Sequence, residues 1–158
     1  QVFKGNSGKS TDIMFLPQFS FVPKHLTLKR IFRDFNLEFR TFTDTFPEFR
    51  KHYHSRIGSL SGGERRMVEI YIILTSDTRF YLLDEPFSHV MPLHIESIKE
   101  IIKKESKNKG IIVTDHLYQH IIDICDSLYL LKDGKTHLIN RKEEIELLGY
   151  AKITDNLK

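Results

Sequence analysis

The sequence predicts an α/β fold in which a mainly parallel sheet carries helices on both faces, accompanied by a helical subdomain. Three observations predict it: four short apolar runs rich in β-branched and aromatic residues, helical periodicities between three of those runs, and a phenylalanine-rich stretch with helical spacing. The first run, Asp12 to Pro17, reads as a short buried strand closed by a proline. From Phe19 to His54 the chain holds eight of its twelve phenylalanines, and Phe32, Phe35, Phe39, Phe42, Phe46 and Phe49 step by three and four positions along one helical stripe. Thr41, Thr43 and Pro47 argue against one unbroken helix there. The rings are expected to form the core of a small helical unit, with a partner-docking groove as the alternative.

Ser61 and Glu64 have capping-box spacing, and Arg65–Leu74 reads as the helix that they start. The runs Phe80–Asp84, Gly110–Thr114 and Ser127–Leu131 are short enough for strands buried on both faces. Pro92 opens a helix at a position where a missing N–H costs nothing, and Ile95, Ile98, Ile101 and Ile102 line one of its faces until Gly110. A further helix is expected over Leu117–Cys125. Asp133-Gly134 signals a type I′ hairpin returning through Thr136–Ile139, and Asn140 with Glu143 reads as a capping box for a last helix that ends at Gly149. The expected organisation is one domain over 1–158, with a core of 1–18 and 76–158 and a helical subdomain over 19–75.

Composition narrows the function. Twenty-four basic and 21 acidic residues leave a net charge of +3, too weak for a nucleic-acid-sized basic field. The longest apolar stretch, near Ile70–Leu74, falls far short of the roughly 20 residues that a membrane span needs. A single cysteine, Cys125, cannot form an internal disulfide, so a reducing cytoplasmic setting is expected.

Four motifs carry chemistry. Gly5-Asn6-Ser7-Gly8-Lys9-Ser10-Thr11 supplies glycines whose amides can turn toward phosphate oxygens, a lysine for the β- and γ-phosphates and a hydroxyl for Mg²⁺; Phe3 stands where the full pattern has its first glycine, and a surface turn is the alternative reading. Leu60-Ser61-Gly62-Gly63-Glu64 fits a plain helix cap badly, since each glycine in the first turn costs about 1 kcal/mol against alanine. Such glycines do allow close approach of an anion to the positive end of a helix. Asp84 and Glu85 end a buried strand, the edge where open α/β sheets bind ligands, and adjacent residues there can serve a metal ion and a water separately. His116 follows the strand Ile111–Thr114 and is expected at that same edge. The other seven histidines have no metal-ligand spacing.

Taken in order, these motifs resemble the ATP-binding-cassette family of P-loop ATPases, the nucleotide-binding subunits of ABC transporters. The likeness runs from about Lys4 to Gly134 and includes Gln18 after the first strand. The resemblance implies ATP and Mg²⁺ as cofactors, with Gly5–Thr11 binding ATP, Ser10, Gln18 and Asp84 at the metal, and Glu85, His116 and Gln18 at the reacting phosphate. It also implies that Ser61, Gly62, Gly63 and Glu64 act on a nucleotide held by a second subunit in a homodimer or heterodimer. Membrane-spanning transporter subunits would dock near Gln18 and the aromatic stretch, on the cytoplasmic side of the membrane, with no nucleic acid involved. A soluble ATPase of the same family and a non-hydrolysing regulatory module are the other readings.

Three departures from the family stand out. Met91 replaces an aspartate in the loop after Glu85, and an amino-terminal antiparallel sheet with its adenine-stacking aromatic residue has no counterpart. Only Ser10 and Thr11 separate Lys9 from the strand at Asp12, whereas a helix-bearing crossover needs about ten residues. The chain is therefore expected to be discontinuous, with segments missing before Lys4 and after Thr11.

Overall fold

The computed structural model describes residues 12–141 and 143–150. The phosphate-loop residues Gly5–Thr11 and both expected breaks lie outside the described residues.

Three strands form a parallel sheet in the order β1 (Ile13–Leu16), β2 (Phe80–Asp84), β3 (Gly110–Thr114). Their register pairs Leu16 with Leu83 and Leu83 with Val113, so the carboxyl ends of all three strands finish side by side. This matches the expected parallel α/β architecture. The crossover from β2 to β3 contains α4 (Pro92–Glu105), which starts at the expected proline and buries Ile98 and Ile102.

The long connection from β1 to β2 holds the helical part: α1 (Leu28–Asp34), α2 (Phe39–Thr45), a 3-10 helix at Pro47–His52 and α3 (Gly62–Leu74). The phenylalanine stripe is broken as expected at Pro47, but Thr41 and Thr43 lie within α2, and a second break falls at Asn36, whose left-handed φ of 55° was not anticipated. Phe32, Phe42, Phe46 and Phe49 are buried and in ring contact around Phe42. The stripe is core, as expected. Phe19 and Phe21, outside the stripe, are the exposed rings of this region.

Helix α3 is apolar nearly all round from Met67 to Leu74 and is buried over that span, as a helix without a polar stripe must be. It packs against β1 and α4 and belongs to one apolar cluster that runs from the phenylalanines to Leu16, Tyr81 and Leu83.

Two expectations are corrected. The strands alternate instead of being buried on both faces. Leu16, Tyr81 and Leu83 face the core, while Ile13, Phe15, Phe80, Leu82 and Ile112, 37–63% exposed, face outward. Among the described residues one side of the sheet is uncovered. The run at 127–131 is β4 (Leu128–Lys132), which pairs antiparallel with β5 (Lys135–Ile139) in a separate two-stranded sheet. Asp133 and Gly134 both have positive φ, 49° and 72°, as a type I′ turn demands.

Between β3 and β4 the expected helix is shorter, α5 (Tyr118–Ile122), and the last element among the described residues is α6 (Glu143–Leu147), followed by Gly149 at φ 69°. The Asn140–Glu143 box is also corrected: the Asn140 amide donates to Glu144, one position further on.

Candidate functional site

The parallel register brings residues from three distant stretches to one edge. Gln18 lies two residues beyond β1, Asp84 ends β2 with Glu85 next, and His116 lies two residues beyond β3. Gln18 Nε2 donates to Glu85 Oε2 at 2.8 Å, Ser88 Oγ donates to the same oxygen at 3.1 Å, and His116 Nδ1 stands 3.6 Å from Glu85 Oε1. Hydrogen bonds from Gln18 and then Ser88, with the nearby His116, hold the Glu85 carboxyl below the ordinary glutamate range. It is therefore an ionised acceptor at neutral pH. Glu85 also has φ 47°, a left-handed conformation rare for a side chain of its length, and its amide donates to the Thr114 carbonyl at 2.7 Å.

Asp84 points to the uncovered side of the sheet, where Thr114 Oγ1 donates to its Oδ1 at 2.9 Å. Among the described residues no three histidine, cysteine, aspartate or glutamate side chains cluster as metal ligands.

Three neighbours were not legible as site residues. The Asp115 carboxylate is fully buried and accepts the Phe87 amide at 3.0 Å and the Leu117 amide at 2.8 Å. It thereby fastens the turn after Glu85 to the turn carrying His116. Ser88 and Thr114 complete the polar ring. The signal for Asp115 was a carboxylate immediately before His116 at a strand end.

At the start of α3 the capping box is complete: Ser61 Oγ accepts the Glu64 amide at 3.2 Å and Glu64 Oε2 accepts the Ser61 amide at 2.8 Å. Those bonds with Ser61 pull the Glu64 carboxyl below its usual range. The Ser61 hydroxyl keeps its proton free to donate. The two glycines differ. A Cβ on Gly62 would meet nothing within 4 Å, whereas one on Gly63 would stand 2.9 Å from the His89 carbonyl oxygen. Gly62 is open to a ligand; Gly63 is required by packing of α3 against the loop that follows Glu85.

A profile of the ABC transporter family matches residues 5–88, slightly more than half of the chain. Among curated proteins, the lipopolysaccharide export system ATP-binding protein LptB of Haemophilus influenzae is 38% identical over 96 residues, covering 60% of this chain and 40% of the relative. LptB of Escherichia coli K12 is 39% identical over 100 residues, 62% of this chain and 41% of the relative. The chain thus spans about two-fifths of the length of these relatives. A solved ATP-binding subunit of an ABC transporter superposes with a TM-score of 0.71 at 22% identity, over 88% of this chain and 63% of the other. The RNase-L inhibitor superposes at 0.70 with 20% identity, over 93% of this chain and 32% of the other. At that identity the likeness is one of fold.

Proposed function

The chain belongs to the ABC transporter family, and from that premise we propose that it is the ATP-binding subunit of an ABC transporter, hydrolysing ATP to drive transport by separate membrane-spanning subunits. The observation that carries the proposal is the convergence of Gln18, Glu85 and His116 at one sheet edge, with Gln18 and His116 facing the two oxygens of a single carboxylate.

Glu85 polarises the attacking water. Its lowered proton affinity keeps it an acceptor, which suits a loose phosphoryl transfer in which positioning and charge stabilisation supply most of the acceleration. Gln18, which now donates to Glu85 through its amide nitrogen, keeps its carbonyl oxygen for a cation. Mg²⁺ neutralises phosphate charge when bound, and Ser10, Gln18 and Asp84 would hold it. His116 donates to the γ-phosphate, and Lys9 with the amides of Gly5–Thr11 grips the chain of phosphates. Ser61, Gly62 and Gly63 present the positive end of α3 to ATP held by a second subunit, so turnover requires a homodimer or heterodimer.

The membrane subunits dock on the helical region at the cytoplasmic side of the membrane. Two features support this surface: the exposed rings of Phe19 and Phe21 just after Gln18, and a groove of about 760 Å³ lined by Lys29, Arg33, Arg40, Arg50 and Tyr53. Single-turnover hydrolysis by wild type and Glu85→Gln tests the assignment. The variant is expected to bind ATP within twofold of wild type while its chemical step slows about 100-fold or more. Unchanged turnover overturns the role of Glu85.

A further inference from the structure

Helix α3 carries two buried charged side chains to which the proposed chemistry gives no task. Arg66 is 5% exposed and Glu69 1% exposed, and three residues apart they share one face of the helix. Arg66 donates from Nη1 to the Pro17 carbonyl at 2.6 Å and from Nη2 to the Asp84 and Glu85 carbonyls at 2.8 and 3.1 Å. Glu69 Oε1 accepts the Ser20 hydroxyl at 2.6 Å and the Phe21 and Val22 amides, each at 3.2 Å.

Gln18 sits between these two sets of bonds. One residue before it, the carbonyl is held by Arg66; two residues after it, Glu69 begins its hold. The stretch 17–22 has no helix or strand of its own, and Val22 is its one buried side chain. Apolar packing therefore does little to fix the stretch, and a buried charge strongly favours the arrangement that keeps its hydrogen bonds. We propose that Glu69, with Arg66, is a positioning residue that brackets Gln18 and sets its reach to Glu85. This rests on the hydrolytic reading of Glu85 and extends it: α3 presents its amino end to a phosphate and, one and two turns further along, fixes the polar groups of its own chain's site.

The test uses the full chain with Glu69→Gln, which keeps an acceptor oxygen, and Glu69→Leu, which does not. Turnover, KM for ATP, melting temperature and exchange of the Phe21 and Val22 amides are measured on each. Glu69→Leu is expected to lower kcat at least 10-fold with KM within threefold, and Glu69→Gln to retain kcat within threefold. A kcat for folded Glu69→Leu within twofold of wild type overturns the proposal, as does an equal loss in both variants. Should Glu69→Leu not fold, Ser20→Ala removes one of the three donors from the exposed side; about a threefold loss of kcat at unchanged melting supports the bracket, and no loss overturns it. If the wild-type chain itself turns over no ATP, the hydrolytic reading fails separately. Amide exchange then decides: faster exchange at Phe21 and Val22 in Glu69→Leu, with α3 unchanged, supports the bracket, and equal exchange overturns it.

Discussion

The two glycines at the head of α3 look interchangeable in the sequence and are not in the fold. Gly62→Ala adds a methyl group to open space in a helix, so its melting temperature should equal or exceed that of wild type while ATP turnover falls about 10-fold or more from obstruction of the approaching phosphate. Gly63→Ala drives a methyl group to 2.9 Å from the His89 carbonyl and should cost about 1–3 kcal/mol in chemical denaturation. Glu64 gives a pH signature. Its folded-state proton affinity is lowered by its bonds to Ser61, so its contribution to stability is present above the ordinary glutamate range and is lost as pH falls through the lowered value. The stability gap between wild type and Glu64→Gln should therefore be constant near neutrality and close on acidification below that range. The capping pair was readable because both partners lie within one turn. Asp115, Arg66 and Glu69 were not, because the partners that define their roles, Phe87 for Asp115, Pro17 for Arg66 and Val22 for Glu69, lie far away in the chain and become adjacent only in the fold.

At the scale of elements, α4 shows where a residue choice leaves stability unused. Its N-cap is Met91, whose side chain accepts nothing, although its backbone is extended as a cap requires. Met91→Asp supplies an acceptor for the exposed amides and a negative charge at the positive helix end. It should add about 1 kcal/mol, a rise of roughly 3 °C in melting temperature, measurable by calorimetry. The strands and the phenylalanine stripe were legible because each is a local pattern of apolar spacing. The breaks within that stripe were marked by Pro47, whereas the left-handed Asn36 carried no comparable mark. The capping partner of Asn140 was misplaced by one residue, since Glu143 and Glu144 are chemically equivalent in sequence and only the path of the turn selects between them.

Over the whole molecule, apolar residues at both odd and even positions of the strands read as burial on two sides. Among the described residues only one side is covered, leaving Ile13, Phe15, Phe80, Leu82 and Ile112 in a contiguous exposed array. Contiguous exposed apolar side chains of this kind favour association between chains. The 158-residue chain is expected to self-associate with rising concentration in sedimentation velocity, and Ile112→Lys to suppress this at unchanged melting temperature. The register also governs how the polar edge comes into being. Gln18, Glu85 and His116 ride on three adjacent strands whose pairings are all distant in sequence. A slip of any strand by one position would turn its side chains to the opposite surface, so no peptide lacking one strand can hold the trio. Affinity for a nucleotide analogue should accordingly appear only with the last strand pairing to form during refolding, which makes ligand capture a gauge of completed topology.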